Sequence, residues 1–208
     1  MEIVGILLAA GRGTRFDPSA QALKLLQPGP WAAAPAQPLA AAAARNLCTA
    51  LDAVVAVVRD DEGPQQQALR ELLAAAGCRI VRCRPAPGQP EGTGTSIACG
   101  IAACRDAAGW IIALADMPDI RPATVAAVRA AIAWGATSAA PYFRGQRGHP
   151  VGFAAACGPA LSQLRGDAGA RSVLERHRPV RIPVEDPGIL LDIDLPGDLE
   201  AAGRQPRL

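Results

Sequence analysis

The sequence predicts an α/β fold, a mainly parallel mixed sheet with helices on both faces. Two observations carry this expectation. Short runs rich in Val and Ile alternate with alanine-rich segments of helical spacing, the pattern of strands joined by crossover helices. The runs are continuously apolar rather than alternating, which suits strands covered on both sides. With 208 residues, half of them hydrophobic, the chain can bury one substantial core, and a single domain over 1–208 is expected.

The strands are expected, in order, over Ile3–Ala9, Ala53–Val58, Arg79–Cys83, Trp110–Ala115 and Thr137–Pro141. Helices of about three turns each fill the intervals at Leu39–Ala50, Gln65–Ala76, Thr95–Asp106 and Ala123–Trp134, where apolar residues recur with helical period. Two connections exceed plain turns: Gly11–Pro38, with five prolines and three glycines, and Arg84–Gly94, "RPAPGQPEGTG". Long irregular loops in a small domain are usually functional or disordered. Both leave the carboxyl end of a strand, the edge where open α/β sheets bind ligands. The segment Tyr142–Phe153, "YFRGQRGHPVGF", has the rhythm of a charged hairpin. Trp31, Trp110 and Trp134 are expected as core or loop anchors.

The net charge of +2 comes from 21 basic and 19 acidic side chains with no block of like sign, which argues against a nucleic-acid or membrane-surface arm. Six cysteines lack metal-ligand spacing and read as small buried hydrophobes. Glu2 stands where a signal peptide carries positive charge, and no apolar run is long enough to span a bilayer, so a cytoplasmic protein with reduced thiols is expected.

The stretch "ILLAAGRGTRF" breaks from an apolar strand into glycines and arginines. Glycines there let backbone N–H groups approach a ligand, and Arg12, Arg15 and Lys24 add cations suited to phosphate oxygens. A structural turn with exposed arginines fits equally well. The dinucleotide fingerprint lacks its third glycine, and no G-K-[ST] follows. Lys24 is the only lysine among the 21 cations, which is either chance or a place where a compact point charge is needed. In "WIIALADMPDI", Asp116 leaves the end of a strand that Pro118 stops. A carboxylate there suits a hard cation such as Mg²⁺, which takes one or two carboxylates and completes its octahedron with water and phosphate. Helix capping is the other use for it, which Asp119 is better placed to serve.

With "LAAGRGTRF", "KLL", "EGTGTSIACGI", "LADMP", "GHPVGF", "LRGDAGARSVL" and "LDIDLPGDL" in this order from residue 7 to about 200, the chain resembles the nucleotidyltransferases of molybdenum-cofactor biosynthesis, and among them the molybdenum cofactor cytidylyltransferases. The resemblance implies a Rossmann-like nucleotidyltransferase that condenses a nucleoside triphosphate with the phosphate of the molybdenum pterin and releases pyrophosphate. It places Leu8, Ala9, Ala10, Gly11, Arg12, Gly13, Thr14 and Arg15 around the triphosphate and base, with Lys24 on the phosphates. Gly94, Thr95 and Ser96 would face the nucleoside, and His149, Asp167 and Arg171 the pterin. Arg15, Lys24 and Asp116 are the implied catalytic set, with Asp116 and Asp194 holding Mg²⁺. Ala10 in "LAAG" is similar to the cytidine-using branch; the guanosine-using branch typically has glycine there, so CTP is preferred over GTP. CTP and molybdenum pterin are the implied small-molecule partners, with a molybdoenzyme or its maturation chaperone downstream, and neither nucleic acid nor membrane. The chain departs from the family in the enlarged interval "FDPSAQAL" before Lys24, and in Leu195 and Gly197 beside Asp194. A sugar-phosphate nucleotidyltransferase and a non-catalytic nucleotide-binding or cofactor-delivery protein are the alternatives. His149 also suits loop ordering, and Arg171 a solvated first helical turn.

Overall fold

The computed structural model describes residues 2–19, 22–29 and 36–199; Trp31 and part of the enlarged interval before Lys24 lie outside them. The main sheet has eight strands. They are β1 (Ile3–Leu8), β4 (Val54–Arg59), β5 (Arg79–Cys83), β6 (Gly109–Leu114), β7 (Ser138–Phe143), β8 (Gln146–Arg147), β9 (Val151–Ala154) and β10 (Val180–Pro183). The path across the sheet is β10-β7-β9-β6-β1-β4-β5, with β8 paired to β7. β2 (Pro28–Gly29) and β3 (Gln37–Pro38) form a separate two-stranded ribbon. Pairings of β1 with β4 and β6, of β4 with β5 and of β7 with β10 are parallel, whereas β9 runs antiparallel between β6 and β7.

The helices are α1 (Leu39–Ala50), α2 (Pro64–Ala75), α3 (Thr93–Ala103), α4 (Pro122–Ala133), α5 (Gly158–Ser162) and α6 (Arg171–Arg176). Successive strand residues point to opposite faces, and the core divides accordingly. Leu7, Ala56 and Ile111 pack with Ala43, Leu73 and Val128 from α1, α2 and α4. Ile6, Val57 and Ile112 pack on the other side with Ile97, Leu161 and Val173 from α3, α5 and α6. Two glycines permit this closeness. A Cβ on Gly5 would stand 2.8 Å from Leu51 Cδ1, and one on Gly100 would stand 2.6 Å from Ile6 Cγ2.

Several boundaries differ from those expected. The charged hairpin resolves into the short β7–β8 turn followed by β9, which inserts into the sheet beside β6. Helix α3 starts at Thr93 and ends at Ala103; just past its end the Cys104 carbonyl accepts from Trp110 Nε1 at 3.1 Å and from the Ala107 amide at 3.2 Å. The start of α4 is met by Asp186, whose Oδ2 accepts from the Arg121 amide at 2.9 Å and the Thr124 hydroxyl at 2.6 Å. Trp110 is in the core, but Trp134, just past the end of α4, is 88% exposed and anchors nothing. A third small cluster joins Ile193 to Leu39 and Ala42 of α1. Among the described residues no helix is long and apolar enough to cross a membrane.

Candidate active site

The strands β1, β4, β5 and β6 end on one edge, where a cleft of about 590 Å³ opens between the two long loops. Its first wall follows β1. The Ala9 amide still pairs with the Val57 carbonyl at 2.8 Å, so the chain leaves the sheet only at Ala10. Gly13 has φ 64°, a left-handed conformation that glycine adopts without steric cost, and its carbonyl accepts from the amides of Phe16 and Asp17. Asp17 then closes the enlarged interval on itself: its carboxylate accepts from the Ser19 amide at 2.8 Å, the Ser19 hydroxyl at 2.5 Å and the Ala22 amide at 2.7 Å. Buried Leu23 and Leu25 pin the returning chain on either side of Lys24. Beyond this interval, Lys24 reaches the cleft.

Lys24 is only 7% exposed. Its Nζ stands 2.8 Å from Asp116 Oδ2 and 3.3 Å from Asp194 Oδ1. Asp116 follows β6, and its carbonyl accepts from the Ile193 amide at 3.1 Å, which brings the 192–194 segment against it. Burial of Ile193 turns its two flanking carboxylates outward together. Oxygen atoms of Asp116, Asp192 and Asp194 lie within 4.8 Å of one another. Arg15 Nη1 pairs with Asp194 Oδ2 at 2.5 Å. The Asp192 carboxyl is pushed up to about 6 by desolvation and by the like charges of Asp116 and Asp194, against the pull of Lys24 and Arg15.

The second wall is the start of α3. Gly92, at φ 147°, lies so close to the 164–170 turn that a Cβ would meet the Gly166 carbonyl carbon at 2.3 Å. The Gly94 amide donates to the Gly166 carbonyl at 2.7 Å, the Thr95 hydroxyl to the Pro90 carbonyl at 2.8 Å, and the Ser96 hydroxyl to the Gly92 carbonyl at 3.0 Å. The wall is therefore internally fastened. Across the mouth, Arg12 Nη2 meets Glu91 Oε2 at 2.8 Å, joining the two loops.

Leu8, Ala10, Gly11, Arg12, Gly13, Thr14, Arg15, Lys24, Thr95, Ser96, Asp116, Asp167 and Asp194 all line the cleft. Ala9 is buried beneath the loop, and Gly94 is packed against Ala168. Neither His149 nor Arg171 is among the lining residues. His149 Nδ1 is buried without a partner; desolvation pushes the ring's pKa down, opposed by nearby Asp116 and a hydrogen bond to the Ile112 backbone, while Arg147 lowers it further. Arg171 Nε is paired with Glu175 at 2.9 Å on an exposed helix face, at i,i+4 spacing. Asp192, which the sequence offers beside Asp194 in "DIDL", also lines the cleft, as do Arg59 and Glu91, which the sequence does not single out.

Residues 5–180 match the model of the MobA-like NTP transferase domain. No curated protein matches the chain in sequence. Among solved structures, Rv0371c from Mycobacterium tuberculosis H37Rv is 22% identical over 99% of this chain and 98% of its own, with a TM-score of 0.77; another structure of that protein is a complex with manganese. A cytidylyltransferase from Leptospira borgpetersenii is 15% identical, covering 98% of this chain and 86% of its own, at TM-score 0.70. Molybdopterin-guanine dinucleotide biosynthesis protein A from Archaeoglobus fulgidus is 19% identical, covering 97% of both chains, at 0.67. These structural likenesses are likenesses of fold. The match over residues 5–180 shows that the chain belongs to the MobA-like NTP transferase domain family.

Proposed function

We propose that this MobA-like NTP transferase moves a nucleoside monophosphate, CMP from CTP, onto the phosphate of a molybdenum pterin with release of pyrophosphate. The observation that carries the reading is the convergence, in one cleft, of the glycine loop after β1, the buried Lys24 and the Asp116, Asp192 and Asp194 carboxylates. The Archaeoglobus relative, named for molybdopterin-guanine dinucleotide biosynthesis, supports the acceptor, and the Leptospira cytidylyltransferase supports cytidine within this fold. Ala10 supports the same base.

The reaction brings a phosphate monoester oxygen against an α-phosphorus, two anions that repel. Arg15 and Lys24 would offset that charge and stabilise pyrophosphate as it leaves, the kind of preorganised contact that dominates phosphoryl-group chemistry. Amides of the Gly11–Thr14 loop would hold the phosphates in line, where alignment alone supplies several powers of ten in rate. A phosphate dianion is already nucleophilic at neutral pH, so no side chain is needed as a base.

An all-oxygen donor set of clustered carboxylates fits a hard divalent cation, and the manganese complex of Rv0371c supports that use. Asp116 and Asp194, with Asp192, would hold Mg²⁺ or Mn²⁺, which supplies Lewis-acid stabilisation of phosphate oxygens when bound. Of the three residues expected to face the pterin, only Asp167 borders the cleft, so acceptor contacts lie mainly beyond that set.

The test is pyrophosphate release with Mg²⁺ or Mn²⁺, comparing CTP, GTP and ATP, with and without molybdenum pterin. Release should require the pterin and be fastest with CTP. No release with any triphosphate in the presence of acceptor would overturn the reading.

A further inference from the structure

Four cationic side chains line the cleft, and three already face carboxylates: Arg12 with Glu91, Arg15 with Asp194, and Lys24 with Asp116 and Asp194. The fourth, Arg59, is different. It ends β4, and its Nη2 donates to the Ala10 carbonyl at 3.3 Å. Its Nε is buried with no acceptor, and no described carboxylate pairs with it. A buried donor left unmade is costly, so a group that supplies acceptors there is favoured.

The place of Arg59 in the sheet says which part of a nucleotide that group belongs to. Asp116 follows β6, and β1 lies between β6 and β4. Arg59 is therefore two strand spacings from the acidic cluster, about 10 Å, on the side of Cys83 and Pro85. If the phosphates lie at Lys24 and the carboxylates, the far end over β4 receives the base.

We propose that Arg59 reads the base of the bound nucleotide, selecting one whose exposed edge offers two adjacent acceptors. This rests on the nucleotide reading of the cleft. A guanidinium carries only donors. Cytosine presents adjacent O2 and N3 acceptors, and guanine presents O6 and N7, the pair that arginine commonly takes bidentately. Uracil turns an N3–H donor toward the arginine, and adenine sets a donor beside its acceptor. Arg59 thus separates cytosine and guanine from uracil and adenine, and the choice between those two is left to the space at Ala10.

Equilibrium binding of CTP, UTP, GTP, ATP and inorganic tripolyphosphate to the full chain with Mg²⁺, measured by calorimetry, tests this. The native protein should bind CTP at least about tenfold more tightly than UTP. Arg59→Met should reduce that ratio to below threefold while leaving tripolyphosphate affinity unchanged. Arg59→Lys keeps the charge but lacks the fork, and should lose the preference as well; melting curves of both variants confirm folding. Equal weakening of CTP and tripolyphosphate in Arg59→Met would make Arg59 a phosphate contact and overturn the proposal, as would an unchanged CTP preference in both variants. Failure of the native protein to bind any triphosphate would overturn it together with the nucleotide reading, whereas the expected binding pattern without pyrophosphate release would sustain it and reject only the reaction.

Discussion

Replacement of Lys24 by methionine separates two roles that one side chain plays. The ammonium is 8% exposed at the side chain and lies 2.8 Å from Asp116 and 3.3 Å from Asp194, which are 25% and 27% exposed. Methionine keeps most of the volume and removes the charge. If Lys24 contacts the transferring or leaving phosphates, turnover should fall by the value of one preorganised contact, about 2–4 kcal/mol, or about 30- to 1000-fold. Loss of the pair should also lower stability by about 1–3 kcal/mol, less than a fully enclosed pair because both carboxylates touch solvent. Metal binding should move the other way. Without the ammonium, Arg15 is the cation among the described residues still paired with the cluster of Asp116, Asp192 and Asp194, and Mn²⁺ in the absence of nucleotide should bind about tenfold more tightly or better, given about 4 kcal/mol per charge pair at 4 Å before screening. Pyrophosphate release and a Mn²⁺ titration read the two effects independently. Turnover within about tenfold of native, or weaker Mn²⁺ binding in the variant, would refute this account of Lys24.

Asp116→Asn should abolish most turnover, by at least about 100-fold, with the remainder recoverable in part at high Mn²⁺; near-native activity would remove Asp116 from the metal site. Gly92→Ala must hold a side chain at φ 147° with its Cβ 2.3 Å from Gly166, and should cost about 2–3 kcal/mol, seen as a melting temperature lower by about 4 °C or more. His149 has its pKa pushed below the ordinary 6.5, first by desolvation. The unfolded chain therefore binds the proton more readily, and the contribution of His149 to stability is present above pH 6.5 and lost as the pH falls through the lower folded value. Chelated native protein should lose melting temperature between pH 7 and 5 more steeply than His149→Gln; parallel profiles would show that His149 does not titrate this way.

The sheet was legible because each buried parallel strand is a continuous apolar run, and the helices because alanine and leucine recur between them. The position of β9 was not: a four-residue antiparallel strand inserted between β6 and β7 leaves no mark on the local pattern. Asp116 and Asp194 could be read from their motifs, whereas Arg59 looks like the polar end of an ordinary strand until the sheet order sets it against Ala10. The cap of α4 comes from Asp186, 65 residues beyond the amide it accepts from, a distance at which local spacing carries no signal. The loop before Lys24 is longer than the family's interval, and the three hydrogen bonds that Asp17 accepts from Ser19 and Ala22 could not be read from its length.

The Ile193 cluster gives the cleft its own local stability. Asp192 and Asp194 are carried by a segment held through buried Ile193, with the partly buried Leu191 and Leu199, against Leu39 and Ala42, apart from the two large cores on either side of the sheet. Few apolar contacts secure it, so it can detach without the sheet unfolding. Two of the three clustered carboxylates would leave with it, and one of them, Asp194, is the partner of both Arg15 and Lys24. Hydrogen exchange at the Ile193 amide, which is bonded to Asp116, would then report a partial opening faster than that of β1, and bound cation should slow it by making the detached state more costly.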